Sequence, residues 1–310
     1  MIGNERMKIL LTGGTGFLGS HIAELLCERG HELILIKRRI SNLDKCKSFQ
    51  NNVLWAEEDE SDCLKKIIAF NPKIIIHCAW KGVEVNSRND WKIQFDNLRI
   101  LSQVLFIAEK ISIKKIIALG SQAEYGEYSK CIDESYPINP ISQYGIVKVA
   151  ASYVLKSFSV LHNIDWYWLR IFSIFGERET NNWLLPLTII NMLKGSKEMD
   201  FTKGEQVYSY LYVRDFANAV SSLVEKQGKS GIYNLCASNK MTLKDILNKV
   251  KEKINPDFRL NFGALPYRSN QSMNMTGDSS LFIKNFGDFE TFDFNSHLSH
   301  LIRYYKNETL

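Results

Sequence analysis

A chain of 310 residues, 45% hydrophobic and 24% charged, is long enough to bury a sizeable core as one large α/β unit or two interleaved lobes. Its formal net charge of +5 is mild and its lysines and arginines are spread along the chain, which argues against a nucleic-acid partner. The six cysteines form no C-x-x-C pair, and there is neither an apolar signal region nor a run of the ~20 apolar residues that a bilayer span needs, so a reduced, cytoplasmic setting with no metal site and no membrane is expected.

Met1 and Met7 are both candidate starts, and the first strand signal, KILLTG (8–13), follows at once. Short β-rich runs then alternate with amphipathic stretches: ELILIK (32–37), VLWAEED (53–59), KIIIHCAW (73–80) and KKIIALGS (114–121). That rhythm predicts a doubly wound parallel sheet, and runs apolar on both faces fit strands covered by helices on each side. IDWYWLRIFSIFG (164–176) reads as a further strand and GIYNLCA (231–237) as a late one. Between them lie helical LPLTIINMLKG (185–195) and the aromatic-rich stretch 205–226. Beyond residue 237 come a helix at 242–253, a proline-containing connector and a polar loop.

In TGGTGFLG, Gly13, Gly16 and Gly19 stand directly after the first strand and directly before a helix. A loop there must turn tightly, let its backbone approach a pyrophosphate and aim helix N-terminal amides at negative charge, and glycine does this with no Cβ in the way. The expected cofactor contacts are Gly13, Thr15, Gly16, Phe17, Leu18 and Gly19, with Ala79 at the end of the fourth strand. The second strand ends on Lys37, Arg38 and Arg39 where an acidic residue would accept hydrogen bonds from the adenosine ribose. Guanidinium groups suit a 2′-phosphate, so NADP(H) is the expected preference, with NAD(H) possible and a solvated basic turn the bland reading.

Tyr144 and Lys148 are four residues apart in QYGIVKVAASYVLKSF, one turn apart on one helix face. A neighbouring ammonium favours the phenolate, so such a tyrosine passes a proton near neutral pH; an ordinary helix-surface pair is the alternative. Ser121 ends the fifth strand in ALGSQAEYG, where it either bonds a substrate oxygen or caps a helix.

Together, the glycine spacing, Ser121 and Tyr144-x-x-x-Lys148 resemble the extended short-chain dehydrogenase/reductase family of nucleotide-sugar epimerases, dehydratases and reductases. The resemblance implies a Rossmann-type dinucleotide-binding domain over residues 1–176, with 205–237 returning to it. A smaller interleaved substrate-binding lobe would then cover 177–204 and 238–310. It also implies a catalytic Ser121, Tyr144 and Lys148, Asn97 in the helix after the fourth strand, Asp59 against adenine, and a homodimer built on the helices at 91–110 and 144–161.

The family's sugar dehydratases carry an Asp and a Glu beside the hydroxyl residue, and this chain has Gln122 and Ala123. Dehydration is therefore not expected. GSQAEYG is more similar to the nucleotide-sugar 4-ketoreductases, such as those making CDP-abequose. An NADPH-dependent reductase of a nucleotide-linked 4-keto-6-deoxy sugar is the expectation, with Ser121, Gln122 and Arg268 on the substrate. A 4-epimerase with tightly bound NAD and a catalytically silent dinucleotide-binding protein are the alternatives. Tyr208 and Ser209 stand where relatives often have an Arg-Asp pair, and Ser173 where they often have Asn, which leaves sugar recognition open.

Overall fold

A computed structural model describes residues 5–268 and 271–309 of the chain. Met1 lies outside the described residues; Met7 is tied to the fold, donating its N–H to His31 Nδ1 at 3.2 Å.

The elements of the first half are β1 (Lys8–Thr12), α1 (Phe17–Glu28), β2 (Glu32–Lys37), β3 (Leu54–Glu57), α2 (Cys63–Phe70), β4 (Ile74–His77), α3 (Trp91–Lys110), β5 (Lys115–Leu119), α4 (Gln143–Leu161) and β6 (Asp165–Ile171). The second half follows with β7 (Ile174–Phe175), α5 (Leu184–Leu193), β8 (Glu198–Phe201), β9 (Val207–Tyr208), β10 (Leu211–Tyr212), α6 (Val213–Glu225) and β11 (Gly231–Leu235). Last come β12 (Met241–Thr242), α7 (Leu243–Ile254), β13 (Arg259–Phe262), β14 (Asn274–Met275), α8 (Ser280–Phe286) and α9 (Phe294–Thr309).

Seven strands pair in parallel in the order β11-β6-β5-β4-β1-β2-β3. This is the Rossmann-like doubly wound sheet that the alternation of elements predicts. Side-chain alternation divides its apolar residues between two cores. Ile9, Leu11, Ile74 and Ile76 point to the layer of α1 and α6, where Ile22, Leu26, Phe216 and Val220 meet them. Leu10, Ile75, Ile116 and Ala118 point the other way, to Ile67, Leu101, Val104 and Leu155 of α2, α3 and α4. By length and composition α4 is also apolar enough to cross a membrane, but its Ala151 and Leu155 are core residues of this layer.

Strand order reverses between β1 and its neighbours β2 and β4, which opens a crevice beyond the carboxyl ends of the strands. The single strand expected over 164–176 is divided. β6 stops at Ile171, because its partner β11 ends at Leu235 and the Phe172 N–H makes the last bond to that residue's carbonyl. The chain then leaves the sheet, and β7 pairs with β10. Residues 205–237 are also divided: β9 pairs with β12 and β14, whereas β11 enters the main sheet. A third core gathers Phe175, Ile189, Tyr212, Ile246, Val250 and Leu298 around α5, α7 and α9.

These cores make unequal demands on similar residues. Ile75 is fully buried in the middle of the sheet, so Ile75→Ala is expected to cost about 2–5 kcal/mol in urea unfolding with an unchanged m-value. Ile68, 44% exposed on α2, is expected to change stability by no more than about 0.5 kcal/mol when replaced by Ala.

Candidate active site

β1 delivers the glycine turn to the crevice. Gly13 has φ +72°, and a Cβ there would sit 2.6 Å from the Ala79 backbone nitrogen. At Gly19 a Cβ would lie 2.2 Å from the Gly13 carbonyl oxygen, so α1 can start this close to the turn only with glycine there. Gly16 is the N-cap of α1, makes no side-chain capping bond, and no acidic residue occupies the first turn. The positive end of the helix is thus left for an anion. A backbone cradle closed to any Cβ, joined to an uncapped helix start, fits the pyrophosphate of a dinucleotide. Phe17 and Leu18 also pack partly against the third core, and Thr12 Oγ1 accepts from the Ala79 N–H at 3.4 Å.

β5 and α4 bring the second group together. Ser121 follows β5, and α4 begins after Ser142, whose hydroxyl accepts from the Gly145 N–H at 3.1 Å. A Cβ on Gly145 would lie 2.5 Å from the Ala123 carbonyl oxygen, so the missing side chain lets α4 close on the segment after Ser121. Ser121 is thereby brought near enough to Tyr144 to act on its phenol, and Tyr144 and Lys148 are both buried. Ser121 also caps a short 3-10 turn, accepting from the Ala123 N–H at 3.2 Å. The capping reading of its hydroxyl therefore holds.

Two groups that the sequence reading passed over complete the site. Glu124 is fully buried; its carboxylate accepts from the Ser121 N–H at 2.9 Å, Trp168 Nε1 at 2.8 Å and Arg170 Nε at 2.7 Å. The S-x-x-E spacing of SQAE was the available signal, since it is a capping box. Trp80, after β4, lies beneath Lys148: the ammonium is 3.4 Å from its ring centroid, and Trp80 Nε1 donates to Gln94 Oε1 at 3.2 Å. Spacing alone holds no signal for that contact. Asn97 steadies the same loop, with Oδ1 accepting from the Lys81 N–H at 2.7 Å.

The expected acidification of Tyr144 by Lys148 does not describe this arrangement. Burial pushes the phenol above its ordinary range, and the opposing influences are the nearby Ser121 hydroxyl and Arg88, whose guanidinium lies 5.1 Å from the ring centroid. The Lys148 ammonium instead donates to the Leu119 carbonyl at 2.5 Å. Burial lowers its pKa to about 7, against the raising influences of Glu124 and Cys78. Desolvation outweighs the pairwise effect because both groups lie in one dry pocket.

The remaining candidates are spread along the crevice and the lobe. Lys37 and Arg39 are not free cations: Lys37 pairs with Glu57, its register partner on β3, and Arg39 Nε lies 3.7 Å from the same carboxylate. Arg38 and Asp59 are exposed. Gln122 Oε1 accepts from the Tyr128 hydroxyl at 3.1 Å. Arg268 is exposed in the polar loop and acts electrostatically on Tyr208. Tyr212 is a lobe-packing residue, stacked on His297 with ring centroids 4.1 Å apart. A cavity of about 560 Å³ lies apart from this site, between α1, α6 and α9. Among the described residues no cluster of His, Cys, Asp and Glu has the makings of a metal centre.

Residues 9–236 match the model of the NAD dependent epimerase/dehydratase family. A putative UDP-glucose 4-epimerase of Methanocaldococcus jannaschii is 29% identical over 259 residues, 79% of this chain and 82% of that protein. The dTDP-6-deoxy-L-talose 4-dehydrogenase (NAD(+)) of Aggregatibacter actinomycetemcomitans is 25% identical over 280 residues, 87% of this chain and 99% of that protein. Among solved structures, UDP-glucose 4-epimerase of Thermotoga maritima with UDP-glucose superposes with a TM-score of 0.87 at 25% identity, covering 97% of this chain and 99% of that one.

The depressed pKa of Lys148 has a measurable sign. Its folded value is about 7 and its unfolded value about 10.4, so between those limits the unfolded chain carries the extra proton and stability rises with pH. Relative to Lys148→Met, the wild type is expected to gain about 2 kcal/mol of unfolding free energy from pH 7 to pH 9 in urea titrations. A difference that stays flat with pH would refute the depressed value.

Proposed function

The chain belongs to the NAD dependent epimerase/dehydratase family, and on that premise we propose that it carries out redox chemistry at C4 of a nucleotide-linked hexose, as a 4-ketoreductase of a 4-keto-6-deoxy sugar. The observation that carries this reading is Ser121 set beside the buried Tyr144 and followed in the chain by Gln122 and Ala123. That constellation has a proton donor at a sugar oxygen but lacks, at 122 and 123, the acid and base that loss of water needs. The talose 4-dehydrogenase relative supports the same choice.

A bound nicotinamide supplies or accepts the hydride. The chain's own residues manage the oxygen: Ser121 orients it, Tyr144 gives it the proton, and Lys148, anchored by Leu119 and Trp80, holds the nicotinamide-side ribose. Gly13, Gly16 and Gly19 hold the pyrophosphate. Gln122 and Arg268 belong to the substrate side, Arg268 toward the nucleotide diphosphate. Glu57 engages Lys37 and Arg39, so of the three basic residues only Arg38 is left to favour NADP(H) over NAD(H).

A second reading is 4-epimerisation around a retained NAD, favoured by the names of the Methanocaldococcus and Thermotoga relatives. Cofactor exchange separates the two. A reductase consumes added NAD(P)H stoichiometrically with a 4-keto sugar, whereas an epimerase interconverts two sugars on cofactor that copurifies with it.

We also propose a homodimer through α3 and α4. These helices leave Phe95 53%, Phe106 49%, Tyr153 64% and Val154 45% exposed, an apolar face that a second copy would cover. All six cysteines are free, which suits the reduced, cytoplasmic setting proposed for it.

Tyr144→Phe is expected to lower kcat on the sugar substrate by about 10²–10⁴-fold while leaving the dinucleotide Kd within about threefold. Near-normal turnover would sink the catalytic assignment. Phe95→Asp combined with Val154→Asp is expected to halve the mass seen by light scattering; an unchanged mass would place the interface elsewhere.

A further inference from the structure

In the sequence, Lys37, Arg38 and Arg39 form one basic cluster. In the fold they are not equivalent, because the neighbouring strand brings a carboxylate among them. β2 and β3 run in parallel register with Lys37 opposite Glu57. The Lys37 ammonium donates to Glu57 Oε1, and Arg39 Nε lies 3.7 Å from Glu57 Oε2. The pair is sheltered: the Lys37 side chain is 13% exposed and that of Glu57 24%. The Arg39 side chain, by contrast, is 78% exposed. No ion pair to Arg38 is formed among the described residues, and its backbone N–H bonds only Ser41 Oγ, at 3.1 Å.

We propose that Glu57 sets the choice between NAD(H) and NADP(H), because its carboxylate, delivered from β3, occupies both Lys37 and Arg39 at the end of β2. That strand end, about 20 residues beyond the glycine turn, is where the adenosine ribose of a bound dinucleotide is read. A carboxylate there disfavours a 2′-phosphate in two ways. It repels the phosphate directly, and it withholds the two cations that would otherwise bind it. An acidic residue is absent from the end of β2 itself, so β3 supplies its electrostatic part. The Lys37–Glu57 register fixes that carboxylate more firmly than an exposed loop residue would be. The inference rests on dinucleotide binding at the glycine turn and is independent of which sugar is transformed.

The test is equilibrium binding of NADH and NADPH to the full chain, by calorimetry, without any sugar. Glu57→Gln is expected to tighten NADPH about tenfold while changing NADH by less than about threefold. Glu58→Gln removes the same charge from an exposed neighbour and is expected to leave the ratio of the two constants unchanged. Lys37→Met with Glu57→Gln removes one charge of each sign and is expected to bring the ratio back toward wild type; should Glu57→Gln fold poorly, Glu57→Ser, with the same loss of charge, is expected to give the same tightening of NADPH. A ratio unmoved by Glu57→Gln, or moved equally by Glu58→Gln, would overturn the role of Glu57 and leave dinucleotide binding intact. Failure of the wild type to bind either dinucleotide would instead overturn the premise.

Discussion

The buried carboxylate of Glu124 is the constraint on which the geometry of the candidate site depends. An isolated carboxylate in a dry interior is several kcal/mol unfavourable, so it persists only where its oxygens are fully used. Here they are, by the Ser121 amide, the Trp168 indole and the Arg170 guanidinium. One group therefore joins the end of β5 to the middle of β6 and fixes the backbone that presents the Ser121 hydroxyl. Gly120 shows how tight the arrangement is: a Cβ there would meet Trp168 Nε1 at 2.2 Å and Glu124 Oε1 at 2.6 Å. The same negative charge opposes the loss of the Lys148 proton, which burial promotes.

The other half of the site depends on backbone proximity rather than charge. Gly13, Gly19 and Gly145 each stand where a Cβ would strike a neighbouring main chain, and the approaches at Gly13 and Gly145 join separate elements. Gly13 joins β1 to the loop after β4, and Gly145 joins α4 to the segment after β5. The glycine turn and the Ser121–Tyr144 pair thus face one crevice, the place where the strand order reverses. The proposed cofactor and proton-transfer sites are thus built on the same sheet.

Much of this was legible in the chain. Apolar runs of four to seven residues, punctuated by glycine and amphipathic stretches, are strands buried on both faces, and the observed seven-strand sheet follows from them. The helices expected at 91–110 and 144–161 coincide with α3 and α4 to within a residue. Placing Tyr144 and Lys148 on one face needed only helical periodicity. The break at Ile171 was not legible, because the run continues apolar through Phe175 and only the length of the partner strand ends the pairing. The ion pair of Lys37 was not legible for a related reason: its charge is local, but its partner Glu57 lies 20 residues away and is brought opposite by strand register.

By itself the sequence determined the sheet, the glycine cradle and the identity of the residues able to move a proton, because these follow from short-range periodicity, steric freedom and side-chain chemistry. Only the tertiary structure decided the electrostatics. Whether Lys148 acidifies Tyr144, whether Lys37 is free to meet a phosphate, and whether Glu124 is solvated or sealed all depend on desolvation and on partners distant in sequence. Those effects scale with burial and separation in space, and the order of residues along a chain records neither.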